Sequence, residues 1–459
     1  MTIWLPNLDS SKPQYQAIAD ALAHDIATGK LLLGNRLPTQ RELADVLEVS
    51  VGTVTRAYAA AERRGLIRGE TGRGTFVGRT APQSFGVAGF PAAPDVIDLG
   101  VSWPLHAQDP DLSRALRELR RRPDLPELLQ YQPNAGMRRH REAGAVWMRQ
   151  FGLEPDADDV LVCAGTQHAM TMVFSSVMDT GDVVLTEELT YPGVRVVADL
   201  LGLRVIGLAM DEDGILPESF ETACRQPRAK LLYTVPTLQN PTTATLPESR
   251  RRTLADIARK YDVAIFEDAV HQLLADDPPV PIATFAPEQT YFIAAPSKAV
   301  VGGLRVGFLM PPKHRIEAME RAIWATTWMV SPLTAEIAAM WIEDGTFDET
   351  VERKREEARR RIELMRRVLS GTGVHSQGCS YHAWIDLPEC WGSAQFVNEA
   401  RHKGVAVTPS DTFSVGNGAA PNGFRISLCA APNMDVLERG LNKIAEVLAR
   451  PPGMGGPIV

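Results

Sequence analysis

A chain of 459 residues, 44% hydrophobic and 23% charged, exceeds one ordinary domain and has side chains enough for two or three cores. A net charge of −8 over the whole chain says nothing in favour of nucleic acid. No eighteen-residue apolar run exists, and "MTIWLPNLDSSKPQYQ" has neither a basic nor an apolar leader region, so a cytoplasmic protein off the membrane is expected. Five cysteines, at 163, 224, 379, 390 and 429, share no CxxC spacing, and His168, His382 and His402 are dispersed. That pattern excludes a disulfide framework and a structural zinc site, and no metal is expected.

The charge is uneven. Residues 1–80 carry ten Lys and Arg against eight Asp and Glu, net +2, which leaves −10 on the remainder. In chain order, Tyr15, Ile18, Ala19, Leu22 and Ile26 recur at helical spacing and stop at Gly29. In "TQREL" Thr39 and Glu42 have the spacing of a capping box opening a helix over 40–47. Ser50 is placed to cap a second helix that carries Val54, Ala57, Tyr58 and Ala61 on one face. "GLIRGETGRGTFVG" then offers two short β-runs, Leu66 to Arg68 and Thr75 to Val77, with Arg73 at the turn between them. Two short helices, a tight turn and a β-hairpin make a winged helix-turn-helix. In that layout Ser50, Thr53 and Arg56 begin the helix that enters the major groove, while Thr39, Arg36, Arg41 and Arg73 suit the DNA backbone.

"RTAPQSFGVAGFPAAP" is rich in Pro, Gly and Ala without periodicity and reads as a linker over 80–95. Beyond it, "DVLVC", "DVVLT", "LRVIGL", "KLLYTV", "VAIFED", "TYFIAA" and "RVGFLM" alternate with helical stretches. Seven such runs predict a mostly parallel seven-stranded sheet covered on both faces. From about 345 to 459 a long charged helix and the runs "YHAWIDL", "GVAVTP" and "FRISLC" predict a small α+β domain. The basic runs 114–122 and 353–361 read as solvated helix faces. Trp324 and Trp328, four apart, are expected to pack in a helix interface near the active site.

In a sheet of this kind chemistry gathers at the C-terminal ends of strands. "VCAGTQHAM" places Gly165, Thr166 and Gln167 at a helix start suited to a phosphate. "FEDAVHQ" places Asp268 at another strand end, and "AAPSKAVVGGLR" supplies Ser297, Lys298 and Arg305. A lysine to form a Schiff base, a phosphate cradle with an arginine, and a lone carboxylate to keep a pyridine nitrogen protonated describe a site for pyridoxal 5'-phosphate.

Two resemblances sharpen this reading. The run from "YQAIADALAHDIATGKLLLGNRLP" through "RGTFV" resembles the GntR regulators, with Val51 where that family often has arginine. Residues 96 to about 450 resemble fold-type I aminotransferases. That resemblance implies the lysine bond to the cofactor for Lys298 and the phosphate for Arg305. It implies the phenolic oxygen for Asn240 of "LQNPT", the ring face for Tyr191 of "TYPG", and a carboxylate clamp for Arg425 of "FRISL". From "YQPNAG" it implies that Tyr131 reaches the phosphate of a neighbouring subunit, hence a homodimer with sites at the interface. Three positions depart from the family pattern: His271 stands where a tyrosine usually holds the phenolic oxygen, Ala295 replaces a serine, and Thr243 replaces a glycine. His271 can donate in the tyrosine's place.

The whole chain thus resembles the MocR (GabR-like) subfamily. The expected fold class is an N-terminal winged helix-turn-helix over 1–79, α with a small β-wing, followed after the linker by an α/β pyridoxal-phosphate-dependent transferase fold (fold type I) over 96–459. The expected function is a transcription regulator that binds operator DNA and senses a small amino-group effector through aldimine exchange. It would control uptake or catabolism of a nitrogen compound, or vitamin B6 metabolism. The alternative is a catalytically active aminotransferase carrying a DNA-binding head.

Overall fold

The computed structural model describes residues 4, 6, 8, 12–27, 30–31, 35–63, 66–70, 74–77, 96–416 and 420–450. Arg73 and the linker expected at 80–95 lie outside the described residues. The chain falls into two compact units, Met1–Phe90 and Pro91–Val459.

In the first unit, helices Gln14–Ala27, Gln40–Val46 and Val51–Arg63 are followed by antiparallel strands Ile67–Glu70 and Gly74–Val77. The capping box forms as the spacing predicts. Thr39 Oγ1 accepts from the Glu42 amide at 3.2 Å, and Glu42 Oε2 accepts from the Thr39 amide at 2.7 Å. Ser50 Oγ accepts from the Thr53 amide at 3.1 Å, which starts the third helix. Ile18, Leu22, Leu43, Val54, Ala57, Ile67 and Val77 bury together as the core of this unit. Tyr58, in the same core, donates its hydroxyl to Pro38 O at 2.8 Å. We expect Tyr58→Phe to lower stability by about 1–2 kcal/mol in denaturant unfolding, because it orphans that buried carbonyl.

In the second unit the seven strands lie in the order Leu161–Cys163, Gly307–Met310, Thr290–Ala294, Ala264–Asp268, Ala229–Thr234, Val183–Glu187, Arg204–Leu208. Gly307–Met310 runs antiparallel to both neighbours and all other pairings are parallel. Apart from the edge strand Arg204–Leu208, which is mostly half-buried, the strands are buried nearly throughout because helices cover both faces, as apolar β-branched runs demand. A four-stranded sheet contains Gly373–His375, His382–Asp386, Gly423–Ser427 and Thr408–Pro409. Against it lie helices Ser393–His402 and Met434–Leu448. Ile97–Asp98, at the opposite end of the sequence, pairs with Val405–Ala406 beside this smaller sheet.

Two expectations need correction. Trp324 and Trp328 do not pack in a helix interface: they are 55% and 49% exposed and meet edge to face, 5.9 Å apart. The helix Ile316–Thr326 ends before Trp328, which takes a left-handed φ of 66°, so the four-residue spacing no longer defines one helix face. The run 353–361 is not wholly solvated either. Lys354 and Arg361 are buried on the face of helix Thr346–Val368 that carries Val351 and Ala358. Lys354 pairs with Asp109 at 2.6 Å, and Arg361 caps the carbonyls of Leu428 and Ala431 at 2.9 and 2.7 Å.

Candidate active site

The residues singled out in the body come from distant parts of the sequence to one edge of the large sheet. Leu161–Cys163 delivers Gly165 and the helix Thr166–Val177, Ala264–Asp268 delivers Asp268, and Thr290–Ala294 leads to Ser297 and Lys298. Because Gly307–Met310 runs the other way, its N-terminal end lies at that same edge, and Arg305 precedes it there.

Arg305 reaches over the turn at Gly165, donating to Ala164 O at 3.3 Å and to Gly302 O at 3.2 Å. Gly165 has φ +84°, and a Cβ there would come within 2.9 Å of Arg305 Nη2, so only glycine permits this approach. Thr166 Oγ1, at the helix start, is buried without a partner among the described residues. Tyr191 lies across the mouth of this turn. Its hydroxyl meets Gln167 Oε1 at 3.4 Å, and its ring lies so close that a Cβ at Gly193 would fall 2.2 Å from it.

Asp268 accepts from Tyr233 Oη at 2.9 Å and from the Val270 amide at 3.1 Å. Burial pushes its carboxyl up to about 6, against the pull of those hydrogen bonds and of Lys298. Nearby, Glu187 is buried and fully engaged. It accepts from the hydroxyls of Thr186, Thr190 and Thr234 and from the Val235 amide.

Lys298 donates to Ser102 O at 2.6 Å. Burial, followed by the positive field of Arg425, pushes its amine down to about 8, while Asp268 pulls it back up. Arg425 donates through Nη1 to Asn240 Oδ1 at 2.9 Å and through Nη2 to Gly100 O, and its guanidinium lies 4.8 Å from the Phe413 ring centre. Its Nε is buried without a partner among the described residues. His271 is buried, and neither of its ring nitrogens makes a well-formed hydrogen bond among the described residues, with the Leu238 backbone near it. Burial, with the neighbouring His382 and Lys298, holds it neutral well below the usual imidazole value. His382 is itself a satisfied histidine, bonding Gln239 O through Nε2 at 2.9 Å, and it stacks obliquely on His271 with centroids 5.4 Å apart.

Lys298, Asp268, Arg305, Arg425, Asn240, His271 and Tyr191 are thus joined by contacts or by mutual fields. Tyr131 stands apart within this chain: 81% exposed, its ring 5.5 Å from Trp328. Sequence reasoning missed Tyr233, Glu187, Asp98, Gly100 and Ser102. The only signals were a polar group inside the apolar run "KLLYTV" and an aspartate and glycine just past the linker.

In the first unit, Arg36, Thr39, Arg41, Ser50 and Arg56 are exposed and Thr53 is half-buried. The Arg56 guanidinium lies 4.6 Å from the Tyr15 ring centre, and Thr53 Oγ1 is 2.9 Å from Ser50 Oγ.

Comparison with known proteins agrees with this division. Residues 14–77 match the bacterial regulatory proteins of the gntR family, and residues 94–444 match aminotransferase class I and II. The chain is 33% identical to an uncharacterized HTH-type transcriptional regulator, YdeF, of Bacillus subtilis (strain 168), over 97% of this chain and 96% of the relative.

The chain belongs to the MocR-type GntR regulators.

As in that architecture, a DNA-binding helix-turn-helix precedes an aminotransferase domain. A second relative, the uncharacterized HTH-type transcriptional regulator YisV of the same organism, is 26% identical over 97% of this chain and 98% of its own. The body of this MocR-type chain superposes on the multiple substrate aminotransferase of Thermococcus profundus with a TM-score of 0.70. The identity there is 25%, over 78% of this chain and 92% of that one. The aminotransferase class I and II fold implies pyridoxal 5'-phosphate as cofactor, and the GntR head implies DNA. No helix among the described residues is long and apolar enough to cross a membrane.

Proposed function

We propose that this regulator holds pyridoxal 5'-phosphate on Lys298 and uses it to sense a small amino-group effector that changes the head's affinity for operator DNA. The observation that carries the reading is the convergence of Lys298, Asp268 and Arg425 in a chain whose other unit is a DNA-binding head. The residues fit the group. The glycine-only approach of Arg305 to Gly165, the partnerless Thr166 hydroxyl and the helix start suit a phosphate. Asp268 suits a protonated ring nitrogen, Tyr191 a ring face, and Asn240 with the neutral His271 a phenolic oxygen.

When bound, the cofactor supplies an aldehyde carbon that exchanges one amine for another and a ring that withdraws electrons. Lys298, partly neutral near physiological pH, can act as the exchanging amine and be displaced by the effector's. Arg425 anchors an effector carboxylate. Tyr131, exposed at the surface, would serve the phosphate site of a second copy in a homodimer. Uptake or catabolism of a nitrogen compound, or vitamin B6 metabolism, is the regulated process this reading favours.

The test is to titrate a panel of amines and amino acids into the full-length protein loaded with the cofactor, following visible absorption and DNA affinity together. One compound that shifts both names the effector. Sustained conversion of amino donor to keto acid, about 1 s⁻¹ or faster, would instead make the body an enzyme. A pH dependence follows too. Only the neutral amine attacks an aldehyde, so loading followed by absorbance should speed up as pH rises and level off above about 8, where Lys298 has lost its proton.

A further inference from the structure

The first described segment after the linker reaches the centre of the site. Ile97–Asp98 is paired with Val405–Ala406, Leu99 N donates to Ala406 O at 2.9 Å, and Leu99 O accepts from Ser427 N at 2.6 Å. These bonds tie residues 97–99 into the smaller sheet. The chain then turns. Asp98 Oδ1 accepts from the amides of Gly100 and Val101 at 2.7 and 3.3 Å, and Thr408 Oγ1 donates to Gly100 O at 2.7 Å. A Cβ at Gly100 would meet Thr408 Oγ1 at 3.2 Å and Asp98 Oδ1 at 3.3 Å, so the turn is tight. It aims two backbone carbonyls at the two cations that matter most: Gly100 O at Arg425 Nη2 and Ser102 O at Lys298 Nζ.

These contacts compete with ligands. Bonding Lys298 Nζ to a carbon removes hydrogens that it donates, and an effector carboxylate that Arg425 clamps draws the guanidinium, and with it the Nη2 bond to Gly100 O, out of its present geometry. Both events act on three consecutive residues that continue directly, through residue 96, into the linker and the head.

We propose that residues 97–102 are a strap that carries the state of the site toward the head. Ser102 O holds Lys298 until the cofactor takes the amine, Gly100 O holds Arg425 until an effector carboxylate arrives and frees the lysine again, and Asp98 is the positioning residue that sets the turn. The inference rests on the cofactor-sensing reading above. A ligand shifts such an element only through contacts that differ between its two arrangements, and the carbonyl bonds are those contacts.

The test uses full-length protein with and without added pyridoxal 5'-phosphate. Loading is followed by absorbance, deuterium uptake is measured across 97–105, and affinity is measured for DNA from upstream of the protein's own gene. Loading should speed exchange in that peptide by about tenfold, and Lys298→Ala should show the fast exchange without any cofactor. Asp98→Ala and Thr408→Val should lose the difference in DNA affinity between loaded and unloaded protein. Asp98→Asn, which keeps an acceptor oxygen, should retain it. A band in the wild type with unchanged exchange at 97–105 overturns the strap alone. So does an Asp98→Ala protein that loads and keeps the full DNA response. Absence of any band in the wild type overturns the cofactor reading and the strap with it.

Discussion

Lys298→Ala should abolish the visible absorption band and, with it, every effector-dependent change in DNA affinity. No other amine is placed to do its work: among the described residues, Lys298 is the lysine that shares a site with Asp268, Arg425 and Arg305. Couplings between two ligand sites typically run from about 5- to 150-fold in affinity. The wild-type response should fall in that range and the variant's should vanish, while the head, a separate unit with its own core, keeps its basal DNA binding. Titrating DNA with the loaded protein and the variant, with and without effector, measures this. A variant that still responds would show that sensing bypasses the lysine.

Asp268→Asn should weaken cofactor retention by about 2–5 kcal/mol, the usual loss when one side of a buried hydrogen-bonded charge pair is removed, or roughly 30-fold and more. Asparagine can keep its oxygen on the Val270 amide and donate its NH2 to the Tyr233 hydroxyl oxygen, so the sheet edge should survive and the effect should report charge. The wild type carries its own control. The Asp268 carboxyl is held up to about 6 by burial. As pH falls through that value it takes up a proton and can no longer face a positive ring nitrogen, so retention should fall below about pH 6. The asparagine variant should be weak at all pH values and lack this dependence. Equilibrium dialysis of the cofactor between pH 5 and 8 decides the matter. Equal retention in both proteins would remove Asp268 from the ring nitrogen.

The readable parts of the chain were those whose physics is local. The Thr39–Glu42 box spans three residues and forms as spaced. The alternation of apolar β-runs with helices gave seven strands, and the strand ends pointed to Gly165, Asp268 and Lys298. Periodicity misled where an element stopped or turned inward: Trp328 lies past its helix end, and Lys354 and Arg361 hide on the inner face of a run that looked solvated.

Sequence alone determined the two-part nature of this regulator, the class of each part and most of the residues that meet at the site, because helix periods, caps and strand ends are written in neighbouring residues. Only tertiary structure decided which of them touch. Tyr233 meets Asp268, Arg425 meets Asn240 and Lys298 meets Ser102 across separations of 35, 185 and 196 residues. Those meetings depend on strand order and on the return of residues 97–99 to the C-terminal sheet, which no local pattern encodes. The field at Lys298 likewise comes from burial and from Arg425, a neighbour brought by folding alone.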